Sequence, residues 1–150
     1  METILTIENL YSILSGRTHS VFNRALLNNF KNNNITLTKE QWTILGVLWQ
    51  DDGCSQQTLA DRTYKDKPGI TRLIDNLEKE NFVERRPDAK DRRLNLIFLT
   101  PKGKKIEKEV MTIVNQTIKD AIKGINSENL QIVKETFLQI YDNLETTKTK

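Results

Sequence analysis

One cysteine and one histidine in 150 residues leave little room for thiol or metal chemistry. Cys54 has no partner in the chain for a disulfide, and with His19 alone beside it no structural zinc site can be assembled. Glycine and proline are sparse, at six and three residues, which excludes collagen-like and low-complexity classes. No apolar run approaches the ~20 residues that span a bilayer. The opening Met-Glu-Thr-Ile-Leu-Thr-Ile-Glu has no basic leader before an apolar stretch, so neither a signal peptide nor a membrane helix is expected, and the expected location is the cytoplasm. Charge of either sign is barely in excess: 23 basic residues stand against 20 acidic ones, for a net charge of +3. That leans toward an acidic partner without selecting one, because the placement of charge matters more than its sum. Sets for catalysis are missing as well. There is no Ser/His/Asp or Cys/His arrangement, no glycine-rich phosphate loop and no metal-ligand spacing, so no enzyme is expected and no catalytic residue, cofactor or metal ligand is assigned.

What is present is a soluble, helix-rich profile with 29% charged and 37% hydrophobic residues, in a chain long enough for one sizeable domain or two small lobes with a real core. Nothing repeats at a fixed period. From Ile7 to Phe30 apolar residues recur at helical spacing, interrupted mildly by Gly16, which predicts one amphipathic helix of roughly 36 Å. Asn32-Asn33-Asn34 ends it. Thr38 and Gln41 have capping-box spacing, with Leu37 placed to staple onto Trp42, and a helix with Trp42, Leu45, Leu48 and Trp49 inward and Ile44 alongside follows until Asp51-Asp52-Gly53. Ser55 is an N-cap for a short helix that has only Leu59 and Ala60 to bury. Asp66 then caps a helix, with Pro68 in its first turn, whose inward stripe is Ile70, Leu73, Ile74 and Leu77 and whose outer side carries Arg72. This is the order of a helix-turn-helix.

A charged hairpin follows at once. Arg85 and Arg86 enter it, Pro87-Asp88-Ala89 turn, Lys90, Arg92 and Arg93 lead out, and Leu94, Leu96, Ile97, Phe98 and Leu99 return as an apolar strand. Thr100-Pro101 opens another amphipathic helix carrying Ile106 through Ile125, and a last one begins near Ser127 before a Thr-Lys-Thr-Lys tail that is expected to fray. The terminal helices have apolar stripes that the small central cluster cannot cover. They are expected to pack together and against a second copy, with Tyr11, Phe137 and Tyr141 in the dimer core.

Reading DNA requires an element that fits the major groove and basic groups that fix it on phosphate. Lys67, Pro68, Gly69, Thr71 and Arg72 occupy the first turns of the Asp66-capped helix, where side chains and free backbone N–H groups can face bases and phosphate, and Arg72 is the leading base reader. The hairpin tip, through Lys90, Arg92 and Arg93, would reach an adjacent minor groove. Ser55, Gln56 and Arg86 are candidate phosphate contacts. Arg85 or Arg86 would alternatively serve a salt bridge in the wing. Trp42 and Trp49 read as core, Cys54 as an inert thiol and His19 as a helix-surface or pocket-wall residue.

These residues resemble the MarR family of transcriptional regulators, which are winged-helix dimers. Asp91-Arg92-Arg93 is similar to the family's Asp-x-Arg wing motif, and Leu99-Thr100-Pro101-Lys102-Gly103 to its Leu-Thr-x-x-Gly. The run Thr71-Arg72-Leu73-Ile74-Asp75-Asn76-Leu77-Glu78 resembles the recognition helix, and Leu37-Thr38-Lys39-Glu40-Gln41-Trp42 the start of the helix that precedes the turn. The resemblance implies Arg93 in the minor groove, Asp91 bracing a wing arginine, and Arg72 with Thr71 facing the major groove. It further implies a homodimer on a pseudo-palindromic operator, most often as a repressor, with release by a small, often aromatic or anionic, ligand bound between the lobes. Thiol sensors of the family carry a reactive cysteine in the first helix; this chain has none there, so peroxide sensing through that cysteine is not implied.

The expected fold is mainly α with a small β-hairpin wing: a winged helix-turn-helix lobe over residues 35–100, flanked by a dimerisation helix and linker over 1–34 and by dimerisation helices over 101–150. A different class stays open beside it, a non-catalytic winged-helix module that docks a protein or RNA partner on its basic tip.

Overall fold

The computed structural model describes residues 7–146 of the chain; the Thr-Lys-Thr-Lys tail and the opening residues through Thr6 lie outside them. The chain divides into two compact units after Thr117. Among the described residues no helix is long and apolar enough to cross a membrane.

In the first unit, the single helix expected from Ile7 is two: α1 (Ile7–Leu14) and α2 (Arg17–Asn32). Gly16 stands between them at φ +85°, a left-handed conformation that only a residue without a Cβ takes cheaply, so the glycine ends one helix and starts the next. The C-terminal half of α2 buries Leu26 and Phe30. Helix α3 (Lys39–Gln50) begins with both arms of its capping box formed: the Gln41 N–H donates to Thr38 Oγ1 at 3.1 Å and the Thr38 N–H to Gln41 Oε1 at 3.0 Å. Phe30 meets Trp42 edge to face, with ring centroids 6.5 Å apart.

Helix α4 (Gln56–Thr63) buries Leu59 and Ala60 and nothing else, so it persists by packing on its neighbours α3 and α5 (Lys67–Lys79) rather than by its own propensity. Tyr64, at φ 54°, closes α4 and turns the chain toward α5, which buries Ile70, Ile74 and Leu77. The hairpin is part of a three-stranded antiparallel sheet, not a two-stranded ribbon. Strands β2 (Val83–Pro87) and β3 (Asn95–Leu99) pair from Val83 with Leu99 to Pro87 with Asn95, and a two-residue β1 (Cys54–Ser55) pairs with Ile97 and Leu96 on the other edge of β3. Side chains alternate across this sheet. Val83, Ile97 and Leu99 face the core, so Arg85, paired with Ile97, points to that inner side, while Glu84 and Arg86 point to the other.

The wing is fastened to the helix after it. Thr100 caps α6 (Pro101–Lys105) through the Gly103 N–H at 3.1 Å and also donates to the Asn81 carbonyl at 2.6 Å. A Cβ at position 103 would overlap the Phe82 carbonyl oxygen, which is why this position holds glycine. The Trp49 indole N–H donates to the Gly103 carbonyl at 2.9 Å. The helix expected from Pro101 runs in two pieces, α6 and α7 (Glu107–Ala121), with a loosened turn at Ile106. Asn29 of α2 donates to Thr117 Oγ1 of α7 at 2.8 Å, and Val110 and Val114 complete the core.

The second unit holds α8 (Ser127–Glu145), capped by Asn126, whose side chain accepts the Asn129 N–H at 2.8 Å. It buries none of its residues in the single chain: Ile132, Val133, Phe137, Leu138, Tyr141 and Leu144 are all exposed. In the first unit, α1 likewise exposes Ile7, Leu10, Tyr11, Ile13 and Leu14.

Candidate nucleic-acid interface

Helix α5 starts where its sequence says it should, because the Asp66 carboxylate accepts the Gly69 N–H at 2.8 Å. That bond uses one backbone donor expected to be free for phosphate. Pro68 has none to give, so the first turn offers side chains more than backbone. Lys67 and Arg72 are exposed, and among the described residues their side chains make no hydrogen bond or ion pair. Thr71 is exposed too, but its hydroxyl is engaged twice: it donates to the Lys67 carbonyl at 3.1 Å and accepts from Gln56 Nε2 at 3.2 Å.

The two phosphate candidates at the start of α4 are half-buried and hold structure. Ser55 Oγ accepts the Thr58 N–H at 3.0 Å and shares a hydrogen bond with Thr58 Oγ1. Gln56 donates to Thr71 and accepts from Arg85 Nε at 3.3 Å.

The tip of the wing is built by two aspartates. Asp88 Oδ1 accepts the Lys90 N–H at 2.9 Å and Asp91 Oδ1 the Arg93 N–H at 3.0 Å, the local bonds by which Asp shapes a turn. Asp91 therefore both forms a turn and braces an arginine, since its two oxygens also take Arg93 Nε at 3.1 Å and an Arg93 terminal nitrogen at 3.2 Å. The Arg93 guanidinium beside it, with the Arg93 backbone N–H, holds the Asp91 carboxyl below the ordinary carboxylate value. Arg93 itself stays 90% exposed. Lys90 and Arg92 are exposed and, among the described residues, without a side-chain partner.

The pair at the wing's entrance divides its work. Arg86 pairs with Glu84 on the outer face and stacks its guanidinium 4.5 Å from the centre of the Phe98 ring. Arg85 does not stay within the wing. It reaches Asp75 at 2.6 Å and Glu78 at 2.9 Å on α5 and is only 19% exposed. No helical or strand period marks this bond in the sequence, because it joins residues on different elements; the one available hint is an arginine on the inward register of the strand.

Residues singled out on separate grounds meet here. Ser55, Gln56, Lys67 and Arg93 line one open groove of about 470 Å³ between the starts of α4 and α5 and the base of the wing. The groove is walled by helix starts and cations, a setting for anionic oxygen. Cys54 does not line it; it is buried, its thiol donating to the Asp51 carbonyl. Burial first, and then the Asp51 charge, raise its pKa above the ordinary value near 9.0. Among the described residues no group of three or more His, Cys, Asp or Glu side chains could hold a metal ion.

Comparison with known proteins gives consistent matches. The model of the MarR family matches residues 37–94. An uncharacterised HTH-type transcriptional regulator of Bacillus subtilis (strain 168), YybA, is 24% identical over 119 residues, 79% of each chain. A MarR-family transcriptional regulator from Rhodococcus sp. RHA1 superposes with a TM-score of 0.76 at 20% identity, covering 90% of this chain and 94% of that one. The structure of reduced AbfR bound to DNA superposes with a TM-score of 0.72 at 17% identity, covering 92% and 94%.

Proposed function

We propose that this chain, a MarR-type winged-helix transcriptional regulator by the family match over its central lobe and by its fold, acts as a homodimer that binds a pseudo-palindromic DNA operator and represses from it. The observation that carries the reading is the shared groove, where Lys67 from the recognition helix, Ser55 and Gln56 from the start of α4 and Arg93 from the wing converge. Lys67, a cation that would grip a sugar-phosphate backbone, is thereby set beside the two elements that would read bases. Arg72 projects from α5 toward the major groove and Arg93 from the wing toward the minor groove. AbfR, whose structure is of a DNA complex, has the same fold, which supports the DNA-binding reading.

The dimer follows from apolar surface. Helix α8 exposes six large apolar side chains in the single chain and α1 five, and burial of one such side chain gains about 1.5–3 kcal/mol. A second copy with the same surfaces is a partner that would cover them. Its symmetry would set two recognition helices one helical turn apart, which is why the operator is written as a pseudo-palindrome. Repression, and release by a small aromatic or anionic ligand, are the modes that the family resemblance implies. Thermal stabilisation of the purified dimer across phenolic acids tests the ligand; no shift with any of them counts against a ligand-released switch.

The direct test is a gel shift with DNA from upstream of the chain's own gene, at low and at physiological salt. A retarded band that weakens steeply with salt supports the reading. No retardation even at low salt would favour docking of a protein or RNA partner instead.

A further inference from the structure

Along one flank of α5, Thr71, Asp75 and Glu78 stand at i, i+4 and i+7, one above another. Each is bonded to a residue outside the helix, and the bonds form one chain. Gln56 of α4 donates to Thr71 Oγ1 at 3.2 Å and accepts from Arg85 Nε at 3.3 Å; Arg85 donates onward to Asp75 at 2.6 Å and Glu78 at 2.9 Å. The Arg85 backbone N–H adds a bond to the second Glu78 oxygen at 3.1 Å. All three guanidinium nitrogens therefore have partners, and the side chain is 19% exposed. The carboxylates it meets are more open, at 59% for Asp75 and 43% for Glu78.

Two carboxylates on a helix that enters a DNA groove repel the phosphates that flank it, within the ~10 Å over which charges act at about 0.1 M salt. They are tolerated where a cation is fixed against them. We propose that Arg85 is a positioning residue of the DNA-reading surface. It neutralises the acidic flank of the recognition helix from the wing strand, without itself contacting phosphate. This role rests on the DNA-binding reading and adds a residue that lay outside the expected set of DNA contacts. It also separates the two arginines of the Arg85-Arg86 pair. Their sequence context is the same, but strand alternation sends Arg85 to the helix and Arg86 to the outer face.

The test uses the full-length protein and a duplex that the wild type selects from a randomised pool. Binding is measured across salt for wild type, Arg85→Ala, Asp75→Asn with Glu78→Gln, and the three substitutions together. Arg85→Ala is expected to weaken binding on the order of tenfold near 0.1 M salt, by exposing two uncompensated charges. The triple variant is expected to recover to within about threefold of wild type, since no carboxylate is left to repel phosphate. A direct phosphate contact behaves differently: the triple variant would stay weak and the salt slope would fall by about 0.9. A triple variant that stays weak with an unchanged slope would mark Arg85 as merely structural. Either result overturns the proposal. Should Arg85→Ala not fold, as judged by circular dichroism, Arg85→Lys with and without the two amides makes the same comparison, because an ammonium lacks the forked donors that span both carboxylates. A wild type that selects and binds no duplex overturns the DNA-binding reading itself, and this role with it.

Discussion

Asp91 holds Arg93 at both ends: one carboxylate takes the arginine's backbone N–H at 3.0 Å and its guanidinium through two bonds at 3.1 and 3.2 Å. The wing arginine is thus oriented before it meets a groove, although it is 90% exposed. Asp91→Ala is expected to lower operator affinity on the order of tenfold by freeing a side chain that must then be ordered on binding. Thermal stability should hardly change, since exposed pairs contribute little to it. Titration calorimetry and a melting curve on the same sample separate the two effects. The lowered pKa gives the pH sense. The folded state binds the Asp91 proton less tightly than the unfolded chain, so the brace is whole above the ordinary carboxylate range and is lost as pH falls through the lowered value. Binding measured from pH 5 to pH 8 should show no step attributable to this group.

Gly103→Ala is expected to destabilise the fold by about 3 kcal/mol. The added methyl overlaps the Phe82 carbonyl oxygen and crowds Leu99 Cδ2 at 3.2 Å, and overpacking against backbone has no flexible neighbour to absorb it. Denaturant unfolding would read the loss. The same strain acts at the joint of wing and α6, so DNA affinity should fall further than at an equally destabilising core site.

Cys54 should resist alkylation in the folded protein. It is 5% exposed, its thiol donates to a carbonyl, and burial with the Asp51 charge raises its pKa. Less thiolate and less access both slow the reaction, so iodoacetamide at about pH 8 should modify it roughly tenfold or more slowly than it does the unfolded chain. A raised pKa also fixes the sign for stability. The folded state holds this proton more tightly, so its contribution is complete below the ordinary thiol range and is lost as pH rises through the raised value.

Phe137→Asp should shift the protein from dimer to monomer in sedimentation equilibrium. The side chain lies amid the exposed apolar residues of α8 and is 46% exposed in the single chain. A charge on that face would be buried unpaired in a dimer, which is costly for association, while α8 itself should remain helical.

Much of the fold was legible from side-chain oxygens at fixed distances. Thr38, Ser55, Asp66 and Thr100 each announce a helix, and each caps one. The break at Gly16 was not, because glycine inside a helical period costs only about 1 kcal/mol, and spacing alone does not reveal its positive φ. Strand β1 is two residues long, too short to show a period of two. Arg85 could be suspected of a salt bridge but not assigned its partners, which stand 7 and 10 residues away on another element. The glycine of Leu-Thr-x-x-Gly is matched by resemblance alone; only the packing of α6 against Phe82 gives its reason.

The central claim is that Arg72 on α5 reads bases as part of a symmetric pair. It is tested most directly by selecting bound duplexes from a randomised pool with wild type and with Arg72→Ala, and sequencing both. Wild type is expected to enrich an inverted repeat with half-site centres about 10 base pairs apart. The variant should lose preference at one or two positions in each half, equivalent to about 1–3 kcal/mol, while still binding DNA. Identical enriched sequences from both proteins, or no enrichment by wild type, would contradict it.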